Sequence, residues 1–265
     1  KNFAPRAGFA YTLTGDGRTV VRGAYGLFYL AVNTTQGRTD FTTGPWSRSY
    51  SYTSLDNGVT FPVTLRNGLP PMSFNDPFTI SLLTGGSWID RDHPTAYMQQ
   101  WTFNLQRDIG ADTVLEAGYV GTKGTHLGLD YDLNQIHPSL LGPNSGQSSR
   151  PYPTVGGITA IGAAVGNSTY HALQVRFERR MTGSFSYQGA YTYSKSIDNA
   201  SQASVQNNYN LSAERSLSTF DMKHNLAFGL TYQLPVGKGH SVLNHGGVAG
   251  AVLGGWKLGV ISSAR

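Results

Sequence analysis

Apolar and polar residues alternate with a period of two along eight stretches of the chain, the pattern of strands with one apolar face. The stretches are Arg6–Leu13, Val20–Leu30, Gln99–Arg107, Thr113–Thr122, Tyr170–Arg180, Ser184–Ser194, Lys223–Leu234 and Gly255–Ser263. Thr14-Gly15-Asp16-Gly17, Asp108-Ile109-Gly110-Ala111-Asp112 and Met181-Thr182-Gly183 are turn sequences that join the first six into three hairpins. A longer link beginning Pro235-Val236-Gly237-Lys238-Gly239 joins the last two stretches. The remaining links, Ala31–Met98, Lys123–Thr169 and Ile197–Met222, are long and hold most of the Pro, Asn, Asp and Ser. Loops of that length are uncommon in compact soluble domains. Short turns at one end of a sheet and long loops at the other are the layout of outer-membrane barrels.

One face of these strands carries Phe9, Tyr11, Val21, Tyr25, Trp101, Phe103, Leu105, Leu115, Tyr119, Leu173, Val175, Phe177, Tyr187, Tyr191, Tyr193, Leu226, Phe228, Leu230, Trp256, Leu258 and Val260. The other carries Gln100, Thr102, Asn104, Gln106, Gln174, Ser186, Gln188, Thr192, Asn225 and Thr231, with the charges Arg6, Arg22, Glu116, Arg176, Glu178 and Lys257. The apolar face is expected to hold no charged residue within the runs. A basic side chain facing lipid at the midplane costs roughly 2–4 kcal/mol, so a lipid-facing surface excludes it. A soluble sandwich also alternates, but its outer face should be rich in Lys and Glu. Here the polar face is mostly Gln, Asn, Ser and Thr, which suits a crowded, wet lumen.

Composition sharpens this picture. Charged residues are 13% of the chain, against about 25% in ordinary soluble domains. Tyr is the commonest aromatic at 15, and Gly reaches 33 of 265 residues. Tyr suits interfacial girdles, and Gly beside aromatics, as in Gly23-Ala24-Tyr25-Gly26, suits curved strands. The net charge of +5 comes from scattered residues, which argues against a nucleic-acid partner. There is no Cys, so disulfides, thiolate metal sites and a Cys nucleophile are excluded. No stretch of about 18 apolar residues offers a membrane helix, which leaves barrel strands open.

The first run leads into a short turn, and the last leaves the final link on that same side, so both ends of the chain point to the long-loop side. A barrel with periplasmic termini then needs more strands at each end, and the chain reads as an interior piece of a longer protein. An open barrel wall leaves two edges unpaired, which lipid tolerates poorly. The piece is therefore not expected to fold alone.

Several segments resemble a known family. Phe3-Ala4-Pro5-Arg6-Ala7-Gly8-Phe9-Ala10-Tyr11 with Val21-Arg22-Gly23-Ala24-Tyr25-Gly26-Leu27-Phe28-Tyr29 is similar to the barrel of TonB-dependent outer-membrane receptors, and more closely to the Oar-like group. Gln99–Arg107, Leu115–Leu127, Gly166–Gln174 and Tyr191–Asn199 follow in that group's order and spacing. The resemblance implies an all-β fold: an antiparallel transmembrane β-barrel segment of about eight strands out of about 22, with long extracellular loops and short periplasmic turns. Residues 1–265 would then be partial barrel, with the plug domain and an N-terminal carboxypeptidase-regulatory-like domain outside this chain. It further implies the bacterial outer membrane, and active uptake powered by TonB–ExbB–ExbD through the missing N-terminal part. The implied partners are outer-membrane lipid, the plug and a small ligand whose identity is open, with no cofactor.

Candidate chemistry is sparse. The chain has no H-E-x-x-H, G-x-S-x-G or phosphate-loop motif, so no catalytic and no metal residue is assigned. Arg22, Glu116, Gln174, Arg176, Glu178 and Lys257 are lumen-facing candidates. They would contact a plug or moving ligand, or simply satisfy one another's charge. Trp46, Tyr50, Tyr52 and Trp88 in the first long loop could stack on a ligand, or pack the loop. His171 and His224 are expected to pack at the membrane interface. Asp198, Asn199, Glu214, Arg215 and Asp221 are expected to hold a loop by hydrogen bonds rather than bind an ion. The alternatives are a passive porin or adhesin-like barrel, and a secreted carbohydrate-binding sandwich or glycosidase. A glycosidase needs two carboxylates about 5–10 Å apart, whereas Glu116 and Glu178 are expected on non-adjacent runs.

Overall fold

The computed structural model describes residues 2–30, 56–60, 63, 64, 66, 68, 85–199, 201, 205–237, 239, 242 and 248–265. Its strands are β1 (Arg6–Thr12), β2 (Thr19–Tyr29), β3 (Gly86–Trp88), β4 (Tyr97–Gly110), β5 (Thr113–Asp132), β6 (Ile158–Thr182), β7 (Phe185–Asp198), β8 (Ser216–Leu217), β9 (His224–Gln233) and β10 (Lys257–Ala264). All ten lie in one sheet, and the eight long strands follow chain order, β1-β2-β4-β5-β6-β7-β9-β10, each antiparallel to the next. Every predicted run is therefore a strand, and every predicted hairpin forms. A short helix, Val248–Leu253, lies in the last link.

Three features depart from the sequence expectation. Among the described residues there are ten strands rather than eight. The extra two, β3 and β8, are fragments within long loops that dock on the sheet. The sheet is not wholly antiparallel, because β3 runs parallel to β6 with Gly86 opposite Ile158 and Trp88 opposite Ala160. Finally, β5 and β6 continue past the predicted ends at Thr122 and Tyr170, so their connection shrinks to residues 133–157. The extension slips register between Thr125 and Leu127, Leu127 and Leu129, and Leu129 and Tyr131. His126 sits there at φ 58°. Each slip interrupts the period-two pattern, so Lys123-Gly124-Thr125-His126-Leu127-Gly128 does not read as strand.

The hairpin turns follow local chemistry. Gly17 takes φ 70° and donates its N–H to the Thr14 carbonyl at 3.0 Å. The Thr14 hydroxyl and then the Arg18 N–H hold the Asp16 carboxyl below its ordinary value. Ala111 and Asp112, at φ 50° and 55°, make the two-residue turn between β4 and β5. The Thr182 hydroxyl in the next turn donates to the Asp112 carboxylate at 2.6 Å.

Register places the two predicted faces as expected. One row reads Tyr11, Val21, Leu105, Ala117, Val175, Tyr191, Leu226, and the next Phe9, Gly23, Phe103, Tyr119, Leu173, Tyr193, His224. These side chains do not make a core. The buried hydrophobic residues among those described are Leu129, Ala160, Ala163 and Ala172. Phe9, Tyr11, Phe103, Leu173, Tyr193, Leu226 and Leu258 all stand exposed. An apolar patch that continues across a whole sheet marks a surface made to contact another apolar phase. One expectation is corrected: the apolar face does hold charge. Arg107 pairs with Thr19 and Leu115, and Arg179 with Thr113 and Tyr187, both on that face. Both lie at the short-turn end, where a long side chain can reach headgroups. The Arg179 guanidinium sits 4.6 Å from the centre of the Phe185 ring.

Candidate functional site: the polar wall and its rim

The polar face of β2, β4, β5 and β6 gathers most of the lumen candidates into one patch. Arg22 stands opposite Asn104 and donates to the Gln106 side-chain carbonyl. Gln106 stands opposite Glu116, and Glu116 opposite Arg176. Arg176 is ion-paired to Glu178 at 2.6 Å. Gln174, one step towards the loops, faces Gly118 and Thr192. A cleft of about 230 Å³ opens between Gln106, Val114, Glu116, Arg176, Glu178 and Arg180. Arg180 was not among the sequence candidates. Its parity with Arg176 and Glu178 on one strand was the signal that could have found it. Lys257 is not part of this patch, since it faces Gln233 on the far edge pair.

A second expectation needs correction here. Glu116 and Glu178 lie on adjacent strands, because the run of β5 pairs directly with that of β6: Glu178 stands opposite Val114, two residues along the strand from Glu116. Arg176 lies between the two carboxylates. A glycosidase acid is tuned by an apolar surround, and here the side chain between the pair is a cation. What the patch can do is bind polar or charged groups through a row of donors and acceptors on a rigid sheet.

At the long-loop end the rim is built by hydrogen bonds. Asn134 is fully buried; its amide donates to the carbonyls of Tyr152, Val155 and Gly156 at 2.8–3.0 Å and accepts from the Tyr152 N–H at 2.8 Å. The Asp132 carboxylate accepts from the Ile158 and Asn134 N–H groups and is ion-paired to Arg150 at 2.9 Å. The loop of residues 133–157 is then tied to the loop that follows β7. Gln135 accepts from the Asn208 N–H at 2.8 Å, the Tyr209 hydroxyl donates to the Gln135 carbonyl, and the His137 and Tyr209 rings meet edge to face at 4.6 Å. Within that second loop, Glu214 accepts from the Gln206 and Asn207 N–H groups, Asp221 from Ser196, and Asn199 from Asn167. Asp198 accepts from the Ser201 N–H, and Arg215 donates to the Thr169 hydroxyl at 3.0 Å. These five residues hold the loop, as their sequence setting suggested. Trp88 lies half-exposed on β3 at this rim. Trp46, Tyr50 and Tyr52 lie outside the described residues.

His171 and His224 pack on the apolar face near the rim, as expected. Each accepts or donates through Nδ1 with a tyrosine hydroxyl: His171 with Tyr119 at 2.7 Å, His224 with Tyr191 at 2.8 Å. Trp101 and Tyr193 stand beside them. Rings that are apolar in body and polar at the tip collect at a membrane–water interface.

A family model described as an outer membrane beta barrel domain matches residues 1–265. No curated protein matches the sequence. Among solved structures, the chain is similar to the outer membrane transporter YddB from Escherichia coli, with a TM-score of 0.52 and 14% identity over 87% of this chain. That likeness concerns the fold. The chain spans 26% of the length of that transporter.

Proposed function

The chain belongs to the outer membrane beta barrel domain family of the bacterial outer membrane, and from that premise we propose that it is one stretch of the wall of a TonB-dependent transporter of the Oar-like kind. In this reading the complete barrel has about 22 strands, a plug domain fills its lumen, and TonB–ExbB–ExbD powers it through the plug side. The long outer loops capture a small ligand, and the polar wall around Arg22, Glu116, Gln174, Arg176 and Glu178 faces the plug and the passing ligand. No residue does covalent chemistry. The observation that carries the reading is the pairing of faces: an exposed apolar sheet surface on one side, and a charged, hydrogen-bonded row on the other. The likeness to a transporter supports it, as do the short turns and the interlocked outer loops.

Planar-bilayer recording of the complete protein tests the reading. A plugged transporter shows no steady conductance until its plug is unfolded, for example by urea. Open-pore conductance from the start would overturn it in favour of a passive porin. The coding sequence upstream gives a second test, because the proposal requires a plug domain there.

A further inference from the structure

We propose that the outer rim of the apolar face holds a binding site for a phosphate-bearing lipid headgroup of the outer leaflet, formed by Lys123, Lys195 and Arg215 with Lys223 at its edge. Register puts three of these side chains on the lipid side. Lys123 on β5 shares a row with Thr169 and Ile197, and Leu217 on β8 closes that row. Arg215 lies two residues before Leu217, hence on the same side, and its guanidinium reaches Thr169 on β6. Lys123 stands opposite that same Thr169, which brings the two like charges to one place. Lys195 on β7 stands opposite His171, one row nearer the membrane. Lys223, just before β9, places its ammonium 5.9 Å from the centre of the Tyr193 ring. Lys123 and Lys195 flank β6, two inter-strand steps or roughly 10 Å apart.

Three observations point to an anionic lipid rather than a solvated charged surface. Lys123 and Arg215 sit one row above the aromatic belt of Trp101, Tyr119, His171, Tyr193 and His224, and Lys195 lies in its top row opposite His171, at the height where headgroups begin. None of the four makes an ion pair among the described residues. The nearby carboxylates of Glu214, Asp198 and Asp221 are instead engaged by backbone N–H groups. Below the cations, Leu173, Tyr193 and Leu226 stand exposed and would lie along acyl chains. Like charges gathered without counter-charges favour an anion that bridges them. A phosphate bridging Lys123, Arg215 and Lys195 would do so while its chains cover the apolar surface beneath.

The test uses the complete protein in detergent, titrated with lipid A carrying both phosphates and followed by native mass spectrometry. At roughly fivefold per removed charge, the combined K123Q/K195Q/R215Q variant should bind about 100-fold more weakly. Each single variant should lose about fivefold, so a triple variant that failed to fold would leave the singles to decide. K123R/K195R should bind like the natural protein. Dephosphorylated lipid A should bind the natural protein no better than phosphorylated lipid A binds the triple variant. Equal binding of both lipids, or no loss in the charge-removing variants, would overturn the proposal. Inorganic phosphate that binds as tightly as the lipid would also overturn it, because the site would then be one for a free anion.

Discussion

At Gly121 the backbone passes under the Trp101 indole. A Cβ built there would come within 2.2 Å of the ring, so only glycine lets the tryptophan lie flat across β5. Gly189 does the same for Phe177. A Gly121→Val substitution should destabilise the complete barrel by about 1–3 kcal/mol, the usual range for overpacking. The measure is the heating needed to lose the folded band on unboiled gels. Ala111 has the opposite problem, since a side chain with φ near 50° is strained. Ala111→Asn should stabilise the β4–β5 hairpin by about 0.5–1 kcal/mol, because Asn favours that turn position. The Arg176–Glu178 pair is roughly half-exposed, and such pairs are worth about 1 kcal/mol or less. Arg176→Gln should therefore leave the melting temperature nearly unchanged. If the patch meets a plug or ligand, the same change should lower uptake by the complete protein several-fold. Unchanged uptake would return these side chains to a purely structural role. Their faces were legible from parity alone. Their pairing was not, because Glu116 opposite Arg176 depends on register, which turn geometry sets.

Among the elements, the eight long strands were readable because each keeps a period of two through most of its length. The outer extension of β5 and β6 was not readable, because bulges and glycines break the alternation where these two strands run beyond their neighbours. β3 and β8 were hidden for another reason. Two or three residues carry no periodicity, and both exist only through docking on β6 and β7. The loop of residues 133–157 depends on one buried amide. Asn134→Ala would leave the carbonyls of Tyr152, Val155 and Gly156 without their donor. Orphaned buried groups cost about 1–3 kcal/mol each at most. The expected result is a local one: faster protease cleavage between residues 140 and 152, with the barrel strands still protected. Uniform loss of protection throughout the sheet would mean that the loop is coupled to the wall more tightly than these bonds imply.

For the whole molecule, the decisive relation is between two faces and two phases. Among the described residues the sheet has no core of large apolar side chains, and its exposed apolar rows are stable only against lipid or another apolar surface. Fold class was legible in the sequence because this relation is written in composition: few charges, many aromatics, and a polar face of neutral side chains. Strand number and closure of the complete barrel were not, since neither depends on the pattern within one stretch of wall. The absence of cysteine in this chain allows a direct test. Single cysteines at positions 103, 105, 173 and 175, and at 104, 106, 174 and 176, would each carry a nitroxide label in the complete protein in bilayers. Accessibility to oxygen and to a water-soluble nickel chelate would then be compared. The structure predicts strict alternation, with the odd positions open to oxygen and closed to nickel, and the even positions the reverse. Equal nickel access at odd and even positions, or inverted parity, would contradict a wall whose apolar face meets lipid.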